Sequence, residues 1–286
     1  MSQPLVSFVV PAFNEEALIP HCLRSIVEEI ARTQCSAEII VVNNNSTDST
    51  RQIALSVPGV IVIDEPEKGL VQARKAGCLV ANGEFIANID ADTMLSSGWL
   101  DIALSEFDKR PHLVALSGPF IHYDMPKRVR LIAAGFYRVA LAGSFLTKLV
   151  AGTGEMMQGG NFIVLKSALL AANAFNTDFR FYGEDTELAR CLGKVGEVKF
   201  SFALRAYSSG RRLAGEGVLK VGSRYLVNYL STIMLNRPFT ETWLDFRHGI
   251  GENEAVAPLL PPSVRRGTPE SGSKRIQILE QFPKNQ

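Results

Sequence analysis

Short apolar runs alternate with helical periodicity through the first third of the chain. Residues 5–10 form a continuous apolar run that Pro11-Ala12-Phe13-Asn14-Glu15-Glu16 closes. Leu18, Cys22, Ile26 and Ile30 then recur on one helical face, which predicts a helix over about 15–31. A second strand is predicted at 38–42, ended by Asn43-Asn44-Asn45-Ser46-Thr47-Asp48. That Ser/Thr/Asp cluster starts a helix over about 48–57. Strand 60–63, helix 69–81 and strand 85–89 follow. Four alternations predict an α/β domain with a mostly parallel, Rossmann-like sheet covered by helices on both faces. Ligands of such sheets bind outside the carboxyl ends of the strands. Loops 11–16, 43–48 and 90–92 all fall there.

The fourth strand ends in Asp90-Ala91-Asp92. One residue apart in an extended chain, both carboxylates leave the same face, repel each other and are costly to desolvate. A hard divalent ion holding a phosphate is one answer to that cost. A solvated turn is the other, and three polar loops converging on one rim favour the ion.

The second half is less regular. It predicts a helix at 99–110, a strand at 113–120, and a long apolar, basic helix or helix pair over 126–150. Gly159-Gly160-Asn161 opens a strand through 165, and Gly183-Glu184-Asp185 precedes a helix over 186–195. One or two strands lie in 198–207 and a helix in 218–235. Periodicity fades from Gly251, and 258–286 mixes proline, glycine, serine and charges. The chain thus divides into a first half at 1–95, an irregular second half at 96–250, and a tail at 251–286 that reads as mobile.

Composition adds exclusions. With 46% hydrophobic and 21% charged residues the chain is an ordinary globular one, and a net charge of +1 gives no pull towards nucleic acid. Cys22, Cys35, Cys78 and Cys191 lack any C-x-x-C spacing, so they read as reduced thiols in a cytoplasmic setting rather than as zinc ligands. No basic leader precedes the first strand, and 131–150 is interrupted by Arg138 and Lys148, so neither a secretory signal nor a spanning helix is expected. Residues 125–154 hold no acid, whereas Lys127, Arg128, Arg130, Arg138 and Lys148 are basic, and 217–237 repeats the pattern with Lys220, Arg224 and Arg237. Such apolar, positive helices suit the anionic inner face of a membrane, as a peripheral contact. Core helices with a few solvated basic residues fit the same pattern equally well.

Five signals in this order, namely loop 11–16, loop 43–48, Asp90-Ala91-Asp92, Gly159-Gly160-Asn161 and Gly183-Glu184-Asp185, resemble the inverting family 2 glycosyltransferases of the GT-A fold. The likeness covers about 6–212. It implies a nucleoside-diphosphate-sugar site in the first half and acceptor binding and catalysis in the second. Pro11, Ala12, Asn14 and Glu15 match the loop at the base and ribose. Asn43 and Asn45 stand where relatives carry aspartate, which unsettles the identity of the base, since asparagine donates as well as accepts. Asp48 keeps the family residue, though a helix N-cap explains it equally. Lys68, Gly69 and Arg74 match the segment at the diphosphate, with a surface ion pair the competing account of Arg74. The resemblance further makes Asp92 the ligand of Mn²⁺ or Mg²⁺, with Asp90 beside it on the nucleotide, Ala91 between them, and Asp185 the catalytic base supported by Glu184. A helix cap competes for Asp185. Gly159, Gly160 and Asn161 would border the sugar and acceptor. Many relatives add a later histidine to the metal; here Tyr207-Ser208-Ser209-Gly210-Arg211-Arg212 has none, and Arg211 or Arg212 is positioned to offset leaving-group charge.

The implied activity is metal-dependent transfer of a sugar to a hydroxyl acceptor, lipid-linked or cell-envelope acceptors included. A nucleotidyltransferase making a nucleotide sugar, or a catalytically silent nucleotide-sugar-binding protein, are the alternatives.

Overall fold

The computed structural model describes residues 3–152, 154–174, 183–235 and 237–240. The tail expected at 251–286 lies outside the described residues. Strand β1 (Val6–Ala12) pairs in parallel with β2 (Ala37–Asn43) on one side and with β4 (Phe85–Ile89) on the other, and β3 (Val60–Asp64) extends the β2 edge. Beyond β4, β8 (Asn161–Leu165) runs antiparallel between β4 and β6 (Leu113–Ser117), and β9 (Glu197–Phe200) parallels β6. The order β3-β2-β1-β4-β8-β6-β9 reverses direction of travel between β1 and β4, which is where open α/β sheets bind ligands. A second, three-stranded sheet joins β5 (Thr93–Leu95), β10 (Ala206–Ser208) and β7 (Phe120–His122) in the order β5-β10-β7.

The strand expected at 113–120 is broken in two. Pro119 has no N–H to give the ladder, and a Cβ on Gly118 would lie 1.9 Å from the Leu204 carbonyl oxygen. Helix α1 (Ile19–Thr33) begins later than periodicity suggests. The Glu15 and Glu16 amides donate instead to Thr50 Oγ1 at 2.8 Å and Asp48 Oδ2 at 3.2 Å. Helices α2 (Thr50–Leu55), α3 (Leu70–Val80) and α4 (Trp99–Lys109) follow the pattern, and α5 (Lys127–Ala151) is one unbroken helix. Short α6 (Lys166–Ala171) was not apparent from periodicity, and α7 (Glu184–Leu192) starts two residues early. Helix α8 (Arg211–Glu216) was not apparent from periodicity, and α9 (Val218–Leu235) matches its expectation.

Buried side chains cover both faces of the sheet, so its central strands read as unbroken apolar runs. Phe8, Ile26, Trp99 and Leu116 fill one side, and Val9, Ile40, Phe162 and Leu192 the other. Two polar groups lock the first side. Buried Glu29 of α1 accepts the Gly98 amide at 3.0 Å and the Leu100 amide at 3.2 Å, capping α4 with a carboxylate, and Arg32 balances its charge. Asn161 is fully buried: it accepts from Trp99 Nε1 at 2.8 Å and donates to the Gly118 and Leu204 carbonyls at 3.0 and 2.8 Å. It therefore braces β8 instead of facing a sugar or acceptor, which corrects the role the resemblance gave it.

Residues Lys127–Val150 of α5 are long and apolar enough, by length and composition alone, to cross a membrane. Of these residues only Ser144 is buried.

Helix α3 lies close on the sheet because position 77 is glycine; a Cβ there would come within 2.3 Å of Val9 Cγ1 and 3.0 Å of Val42 Cγ2. Alanine would gain about 1 kcal/mol of helix propensity but overpack the core by about 1–3 kcal/mol. Gly77→Ala is thus expected to lower stability in urea unfolding, and an increase would refute the close packing.

Candidate active site

Helix α3 delivers Arg74, 1% exposed, to the floor of a cleft at the carboxyl ends of β1 and β4. Its Nη2 donates to Asp90 Oδ1 at 2.9 Å, and its Nη1 donates to Glu184 Oε1. Burial disfavours the guanidinium charge, but the Glu184 and Asp90 carboxylates more than offset it, so Arg74 titrates above its ordinary range. Burial raises Asp90, with Arg74 opposing and Asp92 adding to the rise. Burial likewise pushes Glu184 up to about 7, against the pull of Arg74, with Asp185 adding to the rise. Asp185 is raised for the same reason.

Glycines make room for this cluster. A Cβ on Gly160 would lie 1.9 Å from Asp90 Oδ2, and one on Gly159 would lie 3.1 Å from both Arg74 Nη1 and Glu184 Oε1. Gly183, with φ of 80°, is the left-handed N-cap residue of α7. Asp185 is consequently inside the first turn, where its Oδ1 accepts the Thr186 amide at 2.9 Å.

A second guanidinium closes the other wall. Arg211 of α8 grips Glu15 with both Nη atoms, Nη1 to Oε2 at 2.9 Å, and its Nη2 also donates to Asp92 Oδ2 at 3.0 Å. Arg212 donates to Tyr225 Oη at 2.8 Å. Strand β7 adds His122, whose Nδ1 is buried without a hydrogen-bond partner and whose pKa burial lowers against the opposing pull of Asp124.

The cleft holds about 490 Å³. Of the residues expected at the site, it is lined by Pro11, Glu15, Arg74, Asp90, Ala91, Asp92, Gly159, Gly160, Glu184, Asp185, Arg211 and Arg212. The remaining ones lie outside its lining. Ala12 is buried in β1. Asn14, with φ of 50°, accepts the Thr47 amide at 2.8 Å and donates its own amide to Ser46 Oγ at 3.1 Å, lacing two loops together. Asn45 has φ of 60°, a left-handed conformation that asparagine tolerates better than most residues. Asp48 does act locally, accepting the Thr50 amide at 3.0 Å. Lys68 Nζ lies 4.4 Å over the Phe13 ring, and the Gly69 amide donates to Asn44 Oδ1 at 2.9 Å.

Asparagine in place of aspartate has a physical reason at 43, and the neighbouring Asn44 uses the same donor. Asn43 Nδ2 donates to Asp64 Oδ1 at 2.8 Å, and Asn44 Nδ2 donates to the Glu65 and Glu67 carbonyls at 3.0 and 2.7 Å. A carboxylate could make none of these bonds.

Sequence patterns also gave no sign of Phe13, Phe120, His122, Tyr137 and Gln158 as lining residues. Tyr137 is one of many apolar positions on a long helix, yet its Oη donates to Gln158 Oε1 at 2.9 Å and accepts the Phe120 amide at 3.2 Å. Among the described residues no group of three His, Cys, Asp or Glu side chains is arranged to hold a metal. Asp92, which lines the cleft with its Oδ2 paired to Arg211, offers the minimal donor set that fits a hard divalent ion sharing a substrate phosphate, since such ions bind through one or two carboxylates and phosphates.

Known proteins resemble this arrangement. The sequence pattern of glycosyl transferase family 2 matches residues 7–170, more than half of the chain. An uncharacterised glycosyltransferase of Mycobacterium tuberculosis is 36% identical over 114 residues, covering 40% of this chain and 49% of the relative. A dolichyl-phosphate β-glucosyltransferase of Trichomonas vaginalis is 34% identical over 100 residues, covering 32% and 31%. The chain thus spans half or less of the length of these curated relatives. Among solved structures, a mannosyltransferase of Pyrobaculum calidifontis in complex with GDP-Man and Mn²⁺ superposes with a TM-score of 0.62 at 21% identity, covering 82% of this chain and 65% of that one. Glucosyl-3-phosphoglycerate synthase of M. tuberculosis, in complex with Mn²⁺ and UDP-Glc, gives 0.55 at 20% identity, covering 84% and 82%. Its sequence over 7–170 and its mostly parallel sheet flanked by helices make the chain a member of glycosyl transferase family 2 with the GT-A fold.

Proposed function

We propose that the protein transfers a sugar, with inversion, from a nucleoside-diphosphate sugar to a hydroxyl acceptor in a metal-dependent reaction. The observation that carries this reading is the Arg74 bridge. It holds Asp90, on the donor side, and Glu184, next to Asp185, in one cleft. Solved relatives bound to GDP-Man or UDP-Glc with Mn²⁺ support the donor class.

In this reading Asp185 accepts the proton of the acceptor hydroxyl as that oxygen bonds to the anomeric carbon. The bond from that carbon to the diphosphate oxygen breaks on the opposite face, and the nucleoside diphosphate departs. A carboxylate whose pKa burial has raised is a stronger base once ionised, which suits that task. Glu184 and Arg74 position Asp185 and Asp90 without touching the reacting atoms. Asp92 would hold Mn²⁺ or Mg²⁺, which when bound supplies Lewis-acid neutralisation of the diphosphate. Arg211 and Arg212 face the same departing charge, and guanidinium geometry matches phosphate.

We infer as well that α5 lies against an anionic bilayer surface instead of crossing it. Its Tyr137 is bonded into the cleft wall, whereas Leu131, Val139 and Phe145 are exposed. The acid-free stretch around it supplies the charge complement.

Asp185→Asn is expected to cut transfer by about 10²–10⁴-fold while leaving stabilisation by UDP or GDP with Mn²⁺ intact; unchanged turnover would remove Asp185 as base. Asp92→Ala should abolish the Mn²⁺-dependent part of that stabilisation. Glu184 also fixes a pH signature. The folded state favours its protonated form, so its contribution to stability is complete below the ordinary 4.5 and is lost as pH rises through about 7. Wild type should accordingly lose stability relative to Glu184→Gln between pH 4.5 and 7, and a difference constant with pH would contradict the buried carboxyl. Finally, the protein should float with phosphatidylserine vesicles at low salt and release at high salt; no flotation at low salt counts against the membrane contact.

A further inference from the structure

We propose that the acceptor is an amphiphile whose hydrocarbon chain lies in the groove between α5 and α9, with its hydroxyl head at Asp185. This rests on the transferase reading and names the acceptor class for the same cleft.

The cleft does not end at the carboxylates. Beyond Glu184 and Asp185 its walls continue along Phe136, Val139 and Ala140 of α5 and Val221, Leu226 and Leu230 of α9. None of these six side chains carries a polar group, so a wholly polar acceptor would leave this wall wet. Two contacts hold the helices together beside the groove. Gly222 fits against Phe136, where a Cβ would come within 2.6 Å of the ring, and Thr147 Oγ1 lies 3.0 Å from Tyr229 Oη.

Size discriminates between occupants. A peptide helix about 10–12 Å across cannot enter a cleft of about 490 Å³ that also reaches the catalytic carboxylates. A single alkyl or prenyl chain can. The groove's apolar lining also continues onto the exposed outer faces, with Leu146 and Leu149 of α5 and Leu219 and Met234 of α9 all more than half exposed. Lys127, Arg128 and Arg130 stand at the amino end of α5 and 125–154 holds no acid, which matches an anionic bilayer as the source of the chain. A lipid drawn from such a surface would meet these apolar side chains on its way to the carboxylates.

The full chain can be titrated with hexyl, octyl and decyl β-glucosides below their micelle concentrations, read by tryptophan fluorescence or calorimetry. Binding should tighten about fourfold per added methylene in the wild type. Ala140→Trp, which fills the groove, should flatten that dependence and leave the thermal shift given by UDP or GDP with Mn²⁺ unchanged. Should that variant lose the nucleotide shift through misfolding, Leu226→Gln on the exposed side of α9 serves instead, with a weakened chain-length dependence expected. Affinity independent of chain length, or the same dependence in the blocked variant, would overturn the proposal. So would glucoside binding that weakens as protein concentration rises, because the groove would then be a contact between two copies. Chain-length dependence without any nucleotide shift would uphold the groove and overturn the transferase reading, so the two failures are distinguishable.

Discussion

A guanidinium buried to 1% exposure is the constraint on which this site depends. Withdrawing one such ion from water costs several kcal/mol, and only well-placed anions offset that. Asp90 and Glu184 supply them from segments 94 positions apart, the end of β4 and the start of α7. The demand for charge balance therefore joins the two halves of the chain. Such a bridge contributes little net stability, but it fixes where carboxylates can be. It also dictates its surroundings, since two successive glycines are needed where Asp90, Arg74 and Glu184 meet.

Around that centre the cleft is graded. One end is ionic, with Arg211 joined to Glu15 and Asp92. The other is lined by the aliphatic and aromatic side chains of α5 and α9. A substrate with a charged part and an apolar part is matched along its length by such a gradient, because each end is desolvated only against its own kind.

Much of this was legible in the sequence. Strand 85–89 and helix 218–235 appear within the very limits expected. A period of 3.6 survives where one helix face is buried, and unbroken apolar runs mark strands buried on both faces. What escaped was set by contacts between distant segments. The start of α1 depends on bonds to Thr50 and Asp48. The break before β7 depends on the Leu204 carbonyl, and strands as short as β5 carry no period at all. For the site, the polar types and their order pointed to the cleft, yet type alone could not tell Arg74 from a surface residue or Asn161 from a substrate ligand. Both distinctions lie in burial. His122 was missed because a lone histidine on a three-residue strand has no pattern to announce it.

The bond between Asn43 and Asp64 reaches beyond this one chain. Its two positions make a single electrostatic unit, since an acid at both would set two carboxylates against each other across adjoining strands. Arg51 offsets the charge at 64, and Asn43 donates to that carboxylate without adding a second negative charge beside it. An aspartate at 43 would lose the Nδ2 donor and face the Asp64 carboxylate, so it fits best where position 64 is not acidic. The asparagine that departs from the family pattern is therefore one half of a compensated pair.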